Sequence, residues 1–254
     1  MTANQRYKKI NQLIMLFIAL FLSGWISGVS SAAMNARDIL VDIYNRQGIN
    51  SKGSYEMDLK VISYKGKESS PAGIKVYFYS SGKQLVTFIE PERLKDNCYL
   101  VNGYNTWMYQ KGLQRPIRIS AQQRLFGDAG IAETAGINYL DEYKIVKAEE
   151  NNDQYFMELK AKDEKTAYQL ASFCINKADL RIAKIILKAV NGQPLKSLNY
   201  SNYTMVDGHE MGTIEIKNLL QKKDNRTVME FTAIKSRSFP PEAFDPLTMG
   251  KIRL

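Results

Sequence analysis

Two residue types are nearly missing from this chain. Of its 254 residues one is histidine and two are cysteine. A single histidine, His209, excludes zinc sites built on two histidines, such as the HExxH type, and leaves any His-based triad one candidate. Cys98 and Cys174 cannot make a disulfide framework or a Cys-rich zinc module. Beyond residue 33 there is no apolar run long enough to span a bilayer. There is no repeat with a period of about 20–50 residues, and no low-complexity linker. Residues 34–254 therefore read as one domain. No basic run interleaved with aromatics is present, which argues against nucleic acid as a partner. The hydrophobic share of 44% and charged share of 24% are ordinary and exclude wholesale disorder. Composition alone points away from hydrolases and metalloenzymes.

What is present begins with an export signal. Arg6, Lys8 and Lys9 form a positive start with no acid beside them, and Leu13–Leu22 is an unbroken apolar run. That run is shorter than the roughly 20 residues of a spanning helix. Val29-Ser30-Ser31-Ala32-Ala33 supplies small residues for cleavage near Ala33; an uncleaved anchor is the alternative. No cysteine lies near the cut, so lipidation there is excluded. The segment holds three of the 35 basic residues and none of the 26 acidic ones. The mature chain is thus formally 32 against 26, or +6. A mild positive excess favours anionic membrane surfaces, although exported proteins without that role share it. Export permits a Cys98–Cys174 bridge; two small buried hydrophobes in separate strands is the other reading.

The mature chain opens with a predicted helix. Asn35 can cap it, and Ala36, Ile39, Leu40, Ile43 and Tyr44 share one face. Gly48 is a natural stop. The period then falls to two. Tyr55–Val61, Ile74–Phe78, Leu85–Ile89, Tyr155–Leu159, Ala183–Leu187, Ile214–Ile216 and Met229–Ala233 alternate, with three shorter runs between residues 99 and 119. Turn chemistry separates them at Ser81-Gly82, Asn102-Gly103, Asn151–Asp153, Asn191-Gly192, Asp207-Gly208 and Asp224-Asn225. The expectation is a meander of ten or eleven antiparallel strands, a number at which such sheets curl. Val76–Tyr79 and Ile185–Leu187 are apolar on both faces, so something apolar must cover the second face. An apolar cavity and ordinary packing both satisfy that. Pro240-Pro241 followed by Glu242-Ala243-Phe244 predicts a C-terminal helix or lid, anchored by Phe239 and Phe244.

The most informative stretch is 99–150. Arg115, Arg118 and Arg124 precede Gly127-Asp128, and Asp128 could cap a short helix holding Ile131 and Ala132. Gly130 and Gly136 weaken that helix, which suits either a movable flap or a surface loop. The order W-x-Y (Trp107, Tyr109), R-x-I-R-I-S (Arg115, Ile117–Ser120), Q-R-L (Gln123–Leu125), G-D-A (Gly127–Ala129), then Ala132, Tyr139 and Tyr143, resembles the outer-membrane lipoprotein-sorting family related to the LolA and LolB carriers. Two positions depart from the family pattern. Ala121 stands where proline is usual, and Glu133-Thr134 stands where Asp-Val or Asp-Ile is usual.

The resemblance implies a mainly β fold with some α. It is a strongly curved half-open antiparallel β-barrel of about 11 strands with helices packed in its concave side. It also implies a periplasmic carrier that holds acyl chains of a lipoprotein or lipid in an apolar cavity and moves them toward the outer membrane. No catalysis, cofactor or metal is implied. Expected partners are the lipoprotein or lipid cargo, an inner-membrane transporter of ABC or RND type, and transiently the membrane surface. The alternative is a lipid-sensing or protein-binding envelope module that partners an inner-membrane permease. An enzyme using Asp128, Glu133, Asp141 or Glu142 is a third, with no nucleophile beside a base to support it. Acyl chains bind by burial, about 0.8 kcal/mol per CH₂, and Met and aromatic side chains adapt to them. The cavity candidates are Met57, Phe78, Phe88, Trp107, Met108, Tyr109, Ile119, Ile131 and Met157. Arg118, Arg124 and Asp128 are candidates for holding a flap or meeting a head group. His209, between Asp207 and Glu210, reads as a turn residue more than as half a metal site.

Overall fold

The computed structural model describes residues 35–48, 53–221, 224–251 and 254. The expected signal, residues 1–33, lies outside them. Helix α1 (Ala36–Gln47) forms where the spacing predicts. The Asn35 side chain accepts from the Arg37 N–H at 3.1 Å. Ile39, Leu40 and Ile43 make the buried stripe, and Gly48 ends the helix at φ 65°. The C-terminal end is pinned by charge. Glu210 accepts from Arg46 at 2.7 Å and from Arg181 at 2.7 Å, and the His209 Nδ1 hydrogen-bonds the Gln47 carbonyl at 2.6 Å.

Six strands follow: β1 (Tyr55–Lys65), β2 (Glu68–Phe78), β3 (Gln84–Glu90), β4 (Cys98–Asn102), β5 (Asn105–Tyr109) and β6 (Ile117–Ile119). A connection then carries the short pair β7 (Arg124–Phe126) and β8 (Ala129–Gly130) and helices α2 (Ile131–Ala135) and α3 (Tyr139–Glu142). Seven more strands complete the chain: β9 (Tyr143–Glu150), β10 (Gln154–Ala161), β11 (Leu170–Asn176), β12 (Ile182–Lys188), β13 (Pro194–Val206), β14 (His209–Asn218) and β15 (Asn225–Ser236).

Thirteen of these make one sheet, ordered β6-β5-β4-β3-β2-β1-β15-β14-β13-β12-β11-β10-β9. Every neighbouring pair is antiparallel. The fold is therefore mainly β, and it has more strands than expected. Of the thirteen strands in the sheet, β9, β11 and β13 are absent from the sequence reading, as is the short pair β7–β8 outside it. Strand β9 is a mostly exposed edge carrying Lys144, Lys147, Glu149 and Glu150. Strand β11 sets Ser172 and Cys174 opposite its apolar residues, and β13 holds Lys196, Ser197 and Asn199. Polar residues interrupt the apolar alternation in β9 and β13, whereas β11 keeps a clean period of two, with Ala171, Phe173 and Ile175 buried. The C-terminal helix is also corrected: Pro241–Phe244 is a single 3₁₀ turn, too short to bury a helical stripe.

Two apolar clusters explain the two-faced strands. The large one covers the face toward α1 and the 120–142 connection, called the inner face here, and draws on nearly every strand. The second lies on the outer face of β2–β5. There Tyr77, Leu85, Cys98 and Leu100 meet Phe239, Ala243, Phe244 and Met249 of the C-terminal segment. Phe244 stacks on Tyr79 with centroids 4.9 Å apart, and Phe239 meets Tyr77 edge-on at 5.5 Å. The backbone bonds of residues 240–251 run within the segment, so its attachment to the sheet rests chiefly on side-chain burial. Both cysteines are free. Cys98 sits under this segment on β4, while Cys174 is on β11, eight places along the sheet. Burial pushes the Cys98 thiol up to about 12.

Removing the Phe244 ring should therefore both destabilise the domain and uncover Cys98. Phe244→Ala is expected to cost about 3–5 kcal/mol by urea denaturation. In a Cys174→Ser background it should speed labelling of Cys98 by a thiol reagent under native conditions. Unchanged labelling would show that the segment does not shield Cys98.

Candidate functional site

The site follows from a problem of connection. β1 pairs with β15 along eleven residue pairs, so the meander closes at its middle and leaves β6 and β9 as the two edges. Residues 120–142 join those edges, and they do so across the inner face. The touchdown is at the sheet centre, where Ser63 of β1 lies opposite Thr227 of β15. Both are buried. The Asp128 N–H donates to Thr227 Oγ1 at 2.7 Å. Gly127 has φ 58°, and a Cβ there would lie 2.2 Å from Thr227 Oγ1 and 2.6 Å from Ser63 Oγ. Only glycine permits this turn to sit so close.

From the touchdown the chain enters α2, whose five residues are all buried. Its N-cap is Gly130, not Asp128 as expected. Glu133 reaches back and accepts from the Gly130 N–H. The same carboxylate accepts from Lys196 of β13 at 2.6 Å and from the Tyr168 hydroxyl. The Glu133 side chain is fully buried and that of Lys196 is 10% exposed. A short helix bounded by two glycines is thus held by a buried ion pair instead of by its own propensity. Burial and the adjacent Glu133 carboxylate raise the Tyr168 hydroxyl far above its ordinary pKa, so it stays a donor. From the other side Tyr44 of α1 donates to the Ile137 carbonyl at 3.2 Å and accepts from the Tyr139 N–H at 2.8 Å.

Between α1, residues 133–141 and the sheet lies a cavity of about 320 Å³. That is near the lower end of small-molecule pockets, about 300–1,000 Å³. The sheet side offers Met57, Phe78, Ile185, Leu198, Tyr200, Met211, Ile214 and Met229. The opposite wall is Val41, Tyr44 and the stretch from Glu133 to Asp141. Among the described residues no Lys, Arg or His lines it. Such a space can hold an apolar chain by burial and has no cation to fix an anionic head inside.

The residues nominated from sequence are divided by the structure. Met57 and Phe78 line the cavity. Phe88, Ile131 and Met157 are buried in the inner cluster, with Met108 and Ile119 packed against it; none of the five lines the cavity. Phe88 instead meets Phe126 of the connection, with centroids 6.4 Å apart. Trp107 and Tyr109 are a correction: both pack against the outer cluster. Alternation along β5 puts them opposite Met108. Arg118 is exposed and donates to the Asn105 side chain. Arg124 is exposed on β7. Neither holds the connection through Asp128. The residues that do, Glu133, Lys196, Tyr168 and Tyr44, were not linked by the sequence. One signal was available: a carboxylate inside Ile131-Ala132-Glu133-Thr134-Ala135 needs a partner if that helix is buried. The turn at His209 is also otherwise employed. Asp207 accepts from the Ile234 N–H at 2.9 Å, and Glu210 is shared by two arginines.

A smaller cavity of about 60 Å³ adjoins the first through Gln84, Ala135, Gly136 and Ile137, and Glu142 lines it. Burial, and secondarily the charge of Asp141, raises Glu142 to about 7.

Two predictions follow from these groups. Glu133→Gln should cost about 3–5 kcal/mol, because it leaves Lys196 buried and unpaired, whereas Glu133→Leu with Lys196→Met should cost less than either single change. A denaturation double-mutant cycle measures this, and additive losses would refute the pairing. For Glu142 the folded state binds the proton more tightly than the unfolded state. Its stabilising effect is full below about pH 4.5 and is lost as pH rises through about 7. Glu142→Gln should remove that decline. It should gain on the parent by on the order of 1–2 kcal/mol between pH 5 and 8, allowing for solvent screening of a partly exposed group.

Comparison with known proteins bears on this geometry. A family model described as "Uncharacterized protein" matches residues 80–251. No curated protein matches the chain. A LolA superfamily protein from Nitrosomonas europaea superposes with TM-score 0.71 at 22% identity, covering 83% of this chain and 97% of its own. A domain from Vibrio parahaemolyticus assigned to outer membrane lipoprotein sorting gives 0.64 at 19%, over 82% and 95%. A DUF1329 family protein from Desulfovibrio piger gives 0.64 at 17%, also over 82% and 95%. At these identities the likeness is one of fold. The chain has the LolA-superfamily fold that its central motif resembles, and it belongs to the "Uncharacterized protein" family whose model spans residues 80–251.

Proposed function

We propose that this protein is a periplasmic carrier that takes the acyl chains of a lipoprotein or lipid into the inner-face cavity and moves them from the inner toward the outer membrane. The observation that carries the reading is the cavity itself: apolar on the sheet side, walled by a short buried helix, and without a cationic side chain among the described residues. Each CH₂ drawn into it gains about 0.8 kcal/mol. A cavity with three methionines and three tyrosines in its lining can repack around chains of different length. The 320 Å³ volume is that of the closed wall, and the neighbouring small cavity is separated from it by Ala135–Ile137, so a shift of that stretch enlarges the space.

The sheet is read as a strongly curved, half-open barrel. Thirteen strands laid flat at about 4.8 Å spacing would span about 58 Å. Yet Ile119 of β6 and Tyr143 of β9, at opposite edges, belong to or pack on the same inner cluster. Curvature would draw the two edges toward each other and leave α1, α2 and α3 on the concave side. Export with cleavage near Ala33 places the carrier in the periplasm. There it meets its cargo at an inner-membrane transporter of ABC or RND type. No reaction is proposed for it.

Protein purified gently from periplasm and extracted with organic solvent should yield stoichiometric phospholipid, fatty acid or acylated peptide by mass spectrometry. Met57→Trp with Met211→Trp should narrow the cavity and weaken a fluorescent acyl probe by about tenfold, equivalent to losing about two buried CH₂ groups. Lipid-free protein that also fails to bind the probe would refute the carrier reading.

A further inference from the structure

We infer that the β6 edge of the sheet, with the β5–β6 turn and the adjoining strand β7, is a docking surface for an anionic phospholipid bilayer. The argument starts from charge. Residues 97–127 contain Lys111, Arg115, Arg118 and Arg124 and not one Asp or Glu. Four of the six net charges of the mature chain therefore fall in 31 residues. The remaining 190 carry two. The fold gathers this stretch in one place, since β4, β5 and β6 are the last three strands at one edge and β7 follows directly.

The side chains are presented, not spent. Lys111, Arg115, Arg118 and Arg124 are all exposed. Lys111 lies 3.9 Å from Asp96, but among the described residues none of the three arginines pairs with a carboxylate. Arg118 meets only the neutral Asn105. Some cations elsewhere on the sheet are matched, as Lys75 is by Glu56 and Asp58, and Arg181 by Glu210, while Lys60, Lys160 and Lys235 are exposed but lie on strands that also carry acids. Ile117 on β6 is 42% exposed, and Tyr104 in the β4–β5 turn, at the other end of β5 from Lys111, is 40% exposed. Unpaired arginines beside an exposed aromatic and an exposed aliphatic side chain match the lipid–water interface, where phosphates lie next to the first apolar atoms. The cavity lining lacks cations, so the edge also supplies the charge that a head group would meet. The inference deepens the carrier reading by naming the surface that meets the membrane.

The test uses residues 34–254, which contain both cores, so that the apolar run of 13–22 cannot insert by itself. The protein should co-sediment with vesicles of phosphatidylcholine containing phosphatidylglycerol, bind pure phosphatidylcholine vesicles weakly, and release as salt rises. Arg115→Glu, Arg118→Glu and Arg124→Glu together should weaken partitioning by more than about 100-fold, at about fivefold per cation. The milder triple change to Gln should fall between. Lys60→Glu, Lys160→Glu and Lys235→Glu alter net charge equally on exposed strand positions and should have a far smaller effect. Equal losses in the two triple variants, or none in the arginine set, would overturn the assignment. Acyl-probe binding by the arginine variant separates the outcomes. If the probe binds and vesicles do not, docking alone has failed; if vesicles bind the parent and the probe does not, the carrier reading has failed.

Discussion

The pairing of β1 with β15 is the constraint on which the rest depends. It joins the first and last strands of the chain at the centre of the sheet, so the two edges come from the middle of the sequence. The link between those edges must then lie over a face of the sheet. A buried connection is costly unless its backbone groups find partners. Here Thr227 takes the Asp128 N–H, Glu133 takes that of Gly130, and Tyr44 serves both Ile137 and Tyr139. The candidate site is the space left over when a chain that is mostly polar backbone and small side chains is laid on an apolar sheet face.

That origin explains why the wall is built from weak helix and strong anchors. Helix α2 has five residues between two glycines and would not persist alone. It is fixed by an ion pair whose partners lie 63 residues apart in the chain, with a tyrosine hydroxyl completing the carboxylate's bonds. Buried ion pairs contribute more to specifying one arrangement than to net stability. A wall specified in this way can be definite in position while its neighbours Ala135–Ile137 have cavity on both sides. Meanwhile α1 is fixed at its far end by Arg46, Arg181 and Glu210, so the two sides of the cavity are held by separate sets of charges.

Much of this was legible from residues alone, and most of the failures share one cause. The helix from Asn35 to Gly48, the hairpin turns at Ser81-Gly82, Asn102-Gly103 and Asp207-Gly208, and the alternation of Met57, Leu59 and Val61 are local patterns, and they are in the structure. The apolar residues on both faces of β2 correctly required two covering layers. Alternation fixes which residues share a face but not which face is which. Trp107 and Tyr109 were nominated for the cavity and lie on the opposite side, under the C-terminal segment. Strands β9 and β13 escaped because their polar residues mask the period, whereas β11 alternates cleanly through Ala171, Phe173 and Ile175 and was legible. The Glu133–Lys196 pair escaped because sequence does not report contacts between distant positions.

On the proposed carrier reading, the same chain separates two kinds of chemistry that would interfere if mixed. A cation inside an apolar cavity of this size would have to be desolvated, at a cost of several kcal/mol unless paired. Among the described residues the one buried lysine is Lys196, and it is paired with Glu133. Cations at an exposed edge keep their hydration and act over roughly a Debye length, about 8 Å at physiological salt. Burial therefore supplies binding energy without charge, and the edge supplies charge without burial. The acid-free run from Asn97 to Gly127 ends at the glycine whose turn seats the connection on Thr227. The cationic edge and the cavity wall are consecutive in the chain, and the turn seated on Thr227 is what divides them.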